Sequence, residues 1–279
     1  MDSNLDDDLA EWWCESTPKR PRVGVLGSPM VVANGPVRTG RLGRFTEMSV
    51  YLGLHKEVDA DKLVTDLWPE DSHISPVTRR SDISRVRVWL GVDENGRKYL
   101  PEARNKPYRL ARLLDLDLFR RLRKRADARA AAGDPVGAQR DLLAALTLIR
   151  GPVLSETTRD AYAWLATSDP AGVQHAPLMV IAAAHQLVEI AMEEGDLDLA
   201  RMAADIAYRV DPTEDLPQCD LIRISHRAGD DLGALMWARQ LLATNGVEIP
   251  ADLPNFDSFQ VVDEIFPGGV RGAVVAASG

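Results

Sequence analysis

Hydrophobic positions recur every three or four residues over most of the second half of the chain, the spacing of helices with one buried face. This pattern predicts helices over residues 117–132, 135–150, 176–194, 197–210, 213–228 and 232–244. Gly-Asp turns separate three pairs of them, at Gly133-Asp134, Gly195-Asp196 and Gly229-Asp230. The second and third turns lie 34 residues apart, whereas the first interval is 62 and holds a loop-rich insertion, G-P-V-L-S-E-T-T-R-D-A-Y-A-W-L, from Gly151. A 34-residue period is that of tetratricopeptide-like helical pairs, which stack so that each buries the apolar face of the next.

The first half alternates differently. Val23 to Val37 reads as two short strands with turns at Gly27 to Pro29 and Asn34 to Pro36. A first helix follows over Arg41 to His55, through Leu42, Phe45, Met48 and Leu52. Asp59 opens a second, with Leu63, Val64, Leu67 and Trp68 inward until Pro69. A third runs from the cap Ser75, through Pro76 in the first turn, to Gly91. The alternation around Tyr99 and Tyr108 then predicts a hairpin with its tip at Pro101 to Lys106.

The third helix carries four arginines. On a helical wheel Ile83, Val86 and Leu90 share one stripe, Arg80 and Arg87 flank it, and Ser81, Ser84, Arg85 and Val88 face away. A narrow apolar anchor opposite small polar groups and arginine has the chemistry to enter a DNA major groove. A solvated surface helix would show a similar pattern.

Charge sharpens this picture. The net charge of −9 is unevenly spread, with −4 over residues 1–21, +5 over 22–112 and −10 over 113–279. The arginine helix sits in the only positive segment, where clustered cations gain by releasing counterions from phosphates. The first 21 residues, acidic but holding Trp12 and Trp13, read as a tail or linker. No basic, apolar leader and no run of about 18 apolar residues is present, so a cytoplasmic protein without a membrane partner is expected.

Residues 22–112 resemble the response-regulator type of winged helix-turn-helix in Streptomyces antibiotic regulatory proteins. The resemblance rests on R-L-G-R-F-T-E-M-S-V-Y-L-G-L-H, V-D-A-D-K-L-V-T-D-L-W-P, D-I-S-R-V-R-V-W-L-G and Y-R-L. Residues 113–267 resemble the bacterial transcriptional activator domain that follows it in those regulators, through D-L-D-L-F-R-R-L, L-L-A-A-L-T-L-I-R-G-P-V-L, D-P-T-E-D-L and R-A-G-D. The implied fold is an α+β winged helix-turn-helix followed by an all-α tetratricopeptide-like helical repeat domain, with residues 268–279 a flexible tail. On this resemblance Arg80, Ser84, Arg85 and Arg87 contact bases or the groove, and Arg79 contacts phosphate near the helix start. Arg38, Arg41 and Arg44 around the first helix, and Lys98, Arg104 and Lys106 on the wing, are further phosphate contacts. Ser84 stands where many relatives carry a second basic residue, and Asp82 and Trp89 put charge and bulk near the expected contact face.

Nothing points to catalysis. The Walker-type phosphate loop is absent, the five histidines do not pair at metal spacing, and Cys14 and Cys219 lie far apart. No cofactor or metal is expected. His185 reads as a satisfied core histidine, and Trp164 and Trp237 as filling the helical core. The expected function is sequence-specific transcriptional regulation, with double-stranded DNA as one partner and RNA polymerase, another protein or a second copy of the chain engaging the repeats. The alternative is a protein-interaction scaffold, part of a larger protein, whose winged helix no longer binds DNA.

Overall fold

The computed structural model describes residues 2–15, 17–36, 39–68, 74–103, 106–157, 161–246 and 257–266. The described residues are mostly helical with one small sheet. The chain divides into two compact units, one made of residues 1–124 and 148–176, the other of 125–147 and 177–279.

In the first unit the acidic start is a helix, not a tail. Helix α1 (Leu5–Trp13) buries Leu5 and Trp12. Its carboxylates are matched: Arg20 donates to Asp8 and Glu11, and Arg121 donates to Asp2 and Asp8. Burial alone would push Asp8 up, but the two guanidinium groups hold it below the usual carboxylate range. The partner Arg121 lies more than a hundred residues downstream, which is why local composition reads as a solvated tail.

Strands β1 (Arg22–Gly24) and β2 (Met30–Val32) pair antiparallel, with Val23 opposite Val31. Helices α2 (Leu42–Leu54), α3 (Ala60–Leu67) and α4 (Pro76–Leu90) follow. Their core gathers Val23, Phe45, Met48, Leu63, Trp68, Val86 and Leu90. A third strand, β3 (Leu113–Leu114), lies parallel to β1 on its other side and gives the order β2-β1-β3. Two residues are too few to show alternation, so the pattern of the chain does not reveal this strand.

From β3 the chain enters α5 (Asp115–Ala131). Asp115 is fully buried, and its carboxylate accepts from the backbone N–H groups of Val25, Leu26 and Leu116 at 2.8–2.9 Å. Arg150 Nη2 lies 3.3 Å away. Burial pushes this carboxyl up against the pull of those donors. The insertion after the next helix also belongs here: Leu154 N–H donates to Val25, Tyr162 N–H to Glu47, and Trp164 meets Tyr51 edge-on at 5.0 Å between ring centres. Trp164 therefore packs in the first unit, not in the helical core that the pattern suggests.

Around the expected hairpin, whose tip lies partly outside the described residues, Ala111 N–H donates to the Tyr99 carbonyl at 2.9 Å, and a second turn precedes it. Val92 bridges Lys98 around a tight turn in which the Asp93 carboxylate accepts from the backbone of Asn95 and Arg97. Tyr108 bridges Val58 and not Tyr99. The Asp93-Glu94-Asn95-Gly96 sequence is the stronger turn signal, because aspartate can bond its own backbone two residues on and Gly96 takes φ 74°.

The second unit is helical: α6 (Pro135–Leu146), α7 (Ala176–Glu194), α8 (Leu197–Val210), α9 (Asp215–Arg227), α10 (Asp231–Thr244) and α11 (Asp257–Ile265). One turn recurs three times. Gly133, Gly195 and Gly229 take φ of 77°, 79° and 75°, and the following Asp134, Asp196 and Asp230 each cap the next helix by accepting a backbone N–H. Cys219, Ile222, Leu235, Leu241 and Val262 join α9, α10 and α11 in one core. Trp237 packs against this core and meets Tyr208 nearly at right angles, 5.0 Å between ring centres.

His185 on α7 lies 2.9 Å from Asp220 on α9, and that carboxylate holds the imidazole above its ordinary value. The segment Pro170–Glu194 is apolar and long enough to cross a membrane by composition. Its apolar side chains Val180, Ala184, Leu187, Val188 and Ala191 are buried, as in a core helix.

Candidate nucleic-acid interface

Helix α4 is fixed at both ends. Ser75 Oγ accepts from the Thr78 N–H at 3.2 Å, with Pro76 in the first turn. At the other end Gly35 N–H donates to the Trp89 carbonyl at 2.8 Å. A Cβ on Gly35 would fall 2.0 Å from the Val88 carbonyl oxygen, so only glycine lets the turn after β2 approach so closely.

Between these anchors α4 buries Asp82, Ile83, Val86, Trp89 and Leu90. The outward face carries Val77, Arg80, Ser84, Arg85 and Val88, all exposed, with Ser81 half-buried between them. Spacings of four, three and four residues put Val77, Ser81, Ser84 and Val88 on one stripe, with Arg80 and Arg85 beside it. The sequence places Asp82 and Trp89 near this face, and the structure corrects that. Asp82 accepts from Arg41 Nη1 at 2.8 and 3.1 Å, and Trp89 packs against Phe45 at 6.3 Å between ring centres. Packing between α2 and α4 buries a wider arc of α4 than the three-residue stripe implies.

Arg85 Nη1 lies 3.8 Å from Asp82, and Arg41, Arg44 and Arg87 have closer partners. Arg41 is held by Asp82. Arg44 donates to the Glu47 carboxylate and the Leu67 carbonyl, and its guanidinium lies 4.8 Å over the Trp68 ring. Arg87 Nε donates to the Leu100 carbonyl at 2.9 Å, fastening α4 to the segment that follows it. Arg79 is half-buried. On the hairpin Lys98 pairs with Glu102 at 3.0 Å, while Lys106 is exposed. Arg38 and Arg104 lie outside the described residues. The structure thus brings Arg80, Ser84 and Arg85 together on one exposed face, turns Arg44 and Arg87 partly inward, and leaves Arg41 exposed but ion-paired with Asp82. The same helical wheel also puts Val77 on the outward stripe, a position that reading the helix for arginine passes over.

The bacterial transcriptional activator domain family matches residues 114–252. Over that stretch the chain is of the Streptomyces antibiotic regulatory protein-like type. Regulators of this type act in transcription and are not enzymes. The fold of this regulator is similar to that of Mycobacterium tuberculosis EmbR, solved in complex with a low affinity phosphopeptide. That match has a TM-score of 0.62 at 20% identity and covers 93% of this chain and 69% of that one. No curated protein matches its sequence. The activator domain matched in this regulator draws on both compact units, because residues 114–124 and 148–176 fall in the first.

Proposed function

We propose that this regulator binds specific double-stranded DNA in the cytoplasm through residues 22–112 acting as a winged helix-turn-helix. In this reading α4 enters the major groove. The observation that carries it is the outward face of α4, where Arg80 and Arg85 project beside small side chains and the one acidic residue of the helix, Asp82, is buried. Such a face pairs with phosphates and base edges, and its nearest carboxylate, Asp82, lies 3.8 Å from Arg85 Nη1 but is engaged more closely by Arg41 at 2.8 Å. The helical repeats engage RNA polymerase, another protein or a second copy of the chain. The −10 charge of residues 113–279 and the exposed Leu232 and Met236, one turn apart on α10, support a protein partner there.

A second reading has its own observation. Arg41, Arg44 and Lys98 are already neutralised by Asp82, Glu47 and Glu102, which favours a scaffold whose winged helix has lost DNA. Binding-site selection at two salt concentrations, repeated with Arg85→Ala, separates the two. The DNA reading expects an enriched sequence and affinity falling with salt, log K against log salt sloping by about −0.9 per phosphate contacted. Arg85→Ala then costs about tenfold or more in affinity and relaxes the selected sequence. Absence of salt-dependent binding to any fragment supports the scaffold.

A further inference from the structure

We infer that Val77, in the first turn of α4, is a specificity-determining residue that reads the C5-methyl group of a thymine. The inference rests on the DNA reading given above and names what this helix selects within it. Val77 is 74% exposed, the most exposed of the large apolar side chains among the described residues. Isolated apolar exposure is ordinary, but the position of this one is not. Val77 follows Pro76 at the N-terminal end of α4, the end that contacts base edges when a recognition helix lies in the major groove. It shares the outward stripe with Ser81 and Ser84, and Arg80 projects one turn further along.

Each neighbour has a different chemistry for the groove. Arginine donates to the two acceptors of guanine, and serine bonds to either purine or pyrimidine edges. A branched aliphatic side chain offers no hydrogen bond, so the groove feature that rewards it is an apolar one, and thymine alone presents a methyl group there. An uncovered valine beside arginine fits a base step in which a thymine neighbours a guanine. Val88 serves as the internal comparison. It is also exposed, at 57%, and lies on the same stripe, but it sits eleven residues further along in the last turn, about 16 Å away along the axis.

The test uses the full chain and the DNA site obtained by selection. Each thymine is replaced singly by deoxyuridine, which removes only the methyl group, and affinity is measured by fluorescence anisotropy. One position is expected to lose about fourfold, the worth of one buried methyl group. Val77→Ala should bind the thymine and uracil versions of that position equally, whereas Val88→Ala should keep the fourfold difference. A selected site indifferent to uracil at every thymine, or an unchanged uracil penalty in Val77→Ala, overturns the assignment and leaves the DNA reading standing. Absence of any selected site overturns both.

Discussion

Asp115 shows how much one side chain can fix. It has no exposure, and it collects backbone N–H groups from the two residues after β1 and the start of α5. Replacement by alanine leaves those donors buried and unpaired, and each such group costs about 1–3 kcal/mol. Asp115→Ala should therefore destabilise the first unit by about 3–5 kcal/mol, seen in urea unfolding as a lower midpoint at unchanged slope. Asp115→Asn, which keeps one acceptor oxygen, should lose less. At this scale the sequence reveals identity and facing but not partnership. The helical wheel turns Arg80, Ser84 and Arg85 outward, because facing depends only on position along one helix. It does not show that Arg41 spends its charge on Asp82, Arg44 on Glu47 and the Leu67 carbonyl, or Arg87 on the Leu100 carbonyl. Those partners meet through tertiary packing, and the phosphate-contacting set inferred from arginine content is wider than the set left exposed.

Helices α6 to α10 follow the sequence pattern closely because their ends are marked as well as their faces, whereas the pattern does not predict α11. Each Gly-Asp pair supplies a left-handed exit and a capping carboxylate at adjacent positions. Gly229 has nothing within 4 Å of the place a Cβ would occupy, so its requirement is conformational and not steric. Gly229→Ala should cost about 1–2 kcal/mol in thermal or chemical unfolding. Gly43→Ala, in equally open space but inside α2 without a positive φ, should be neutral or stabilising by up to about 1 kcal/mol. Elements with weaker marks escaped. Strand β3 has two residues, and α1 is held by Arg20 and Arg121, whose charges lie outside its own stretch. The turn at Asp93 is made by side-chain-to-backbone bonds, and Tyr99 beyond it is joined on both sides, donating to the Gly91 carbonyl and accepting from Ala111 N–H.

On the scale of the whole molecule, the polypeptide passes from one compact unit to the other three times, after residues 124, 147 and 176. A fragment ending at Arg112 would lack β3, Asp115 and the segment that covers Tyr51 and Glu47. It should show no cooperative unfolding transition by circular dichroism, whereas the full chain should, although the fragment holds every residue assigned to DNA contact. Residues 22–112 are therefore not expected to behave as a cassette. A single recombination breakpoint after residue 112 would transplant the arginines without the scaffold that orients them, so residues 22–112 and the segments up to residue 176 are expected to be inherited, exchanged and engineered as one piece.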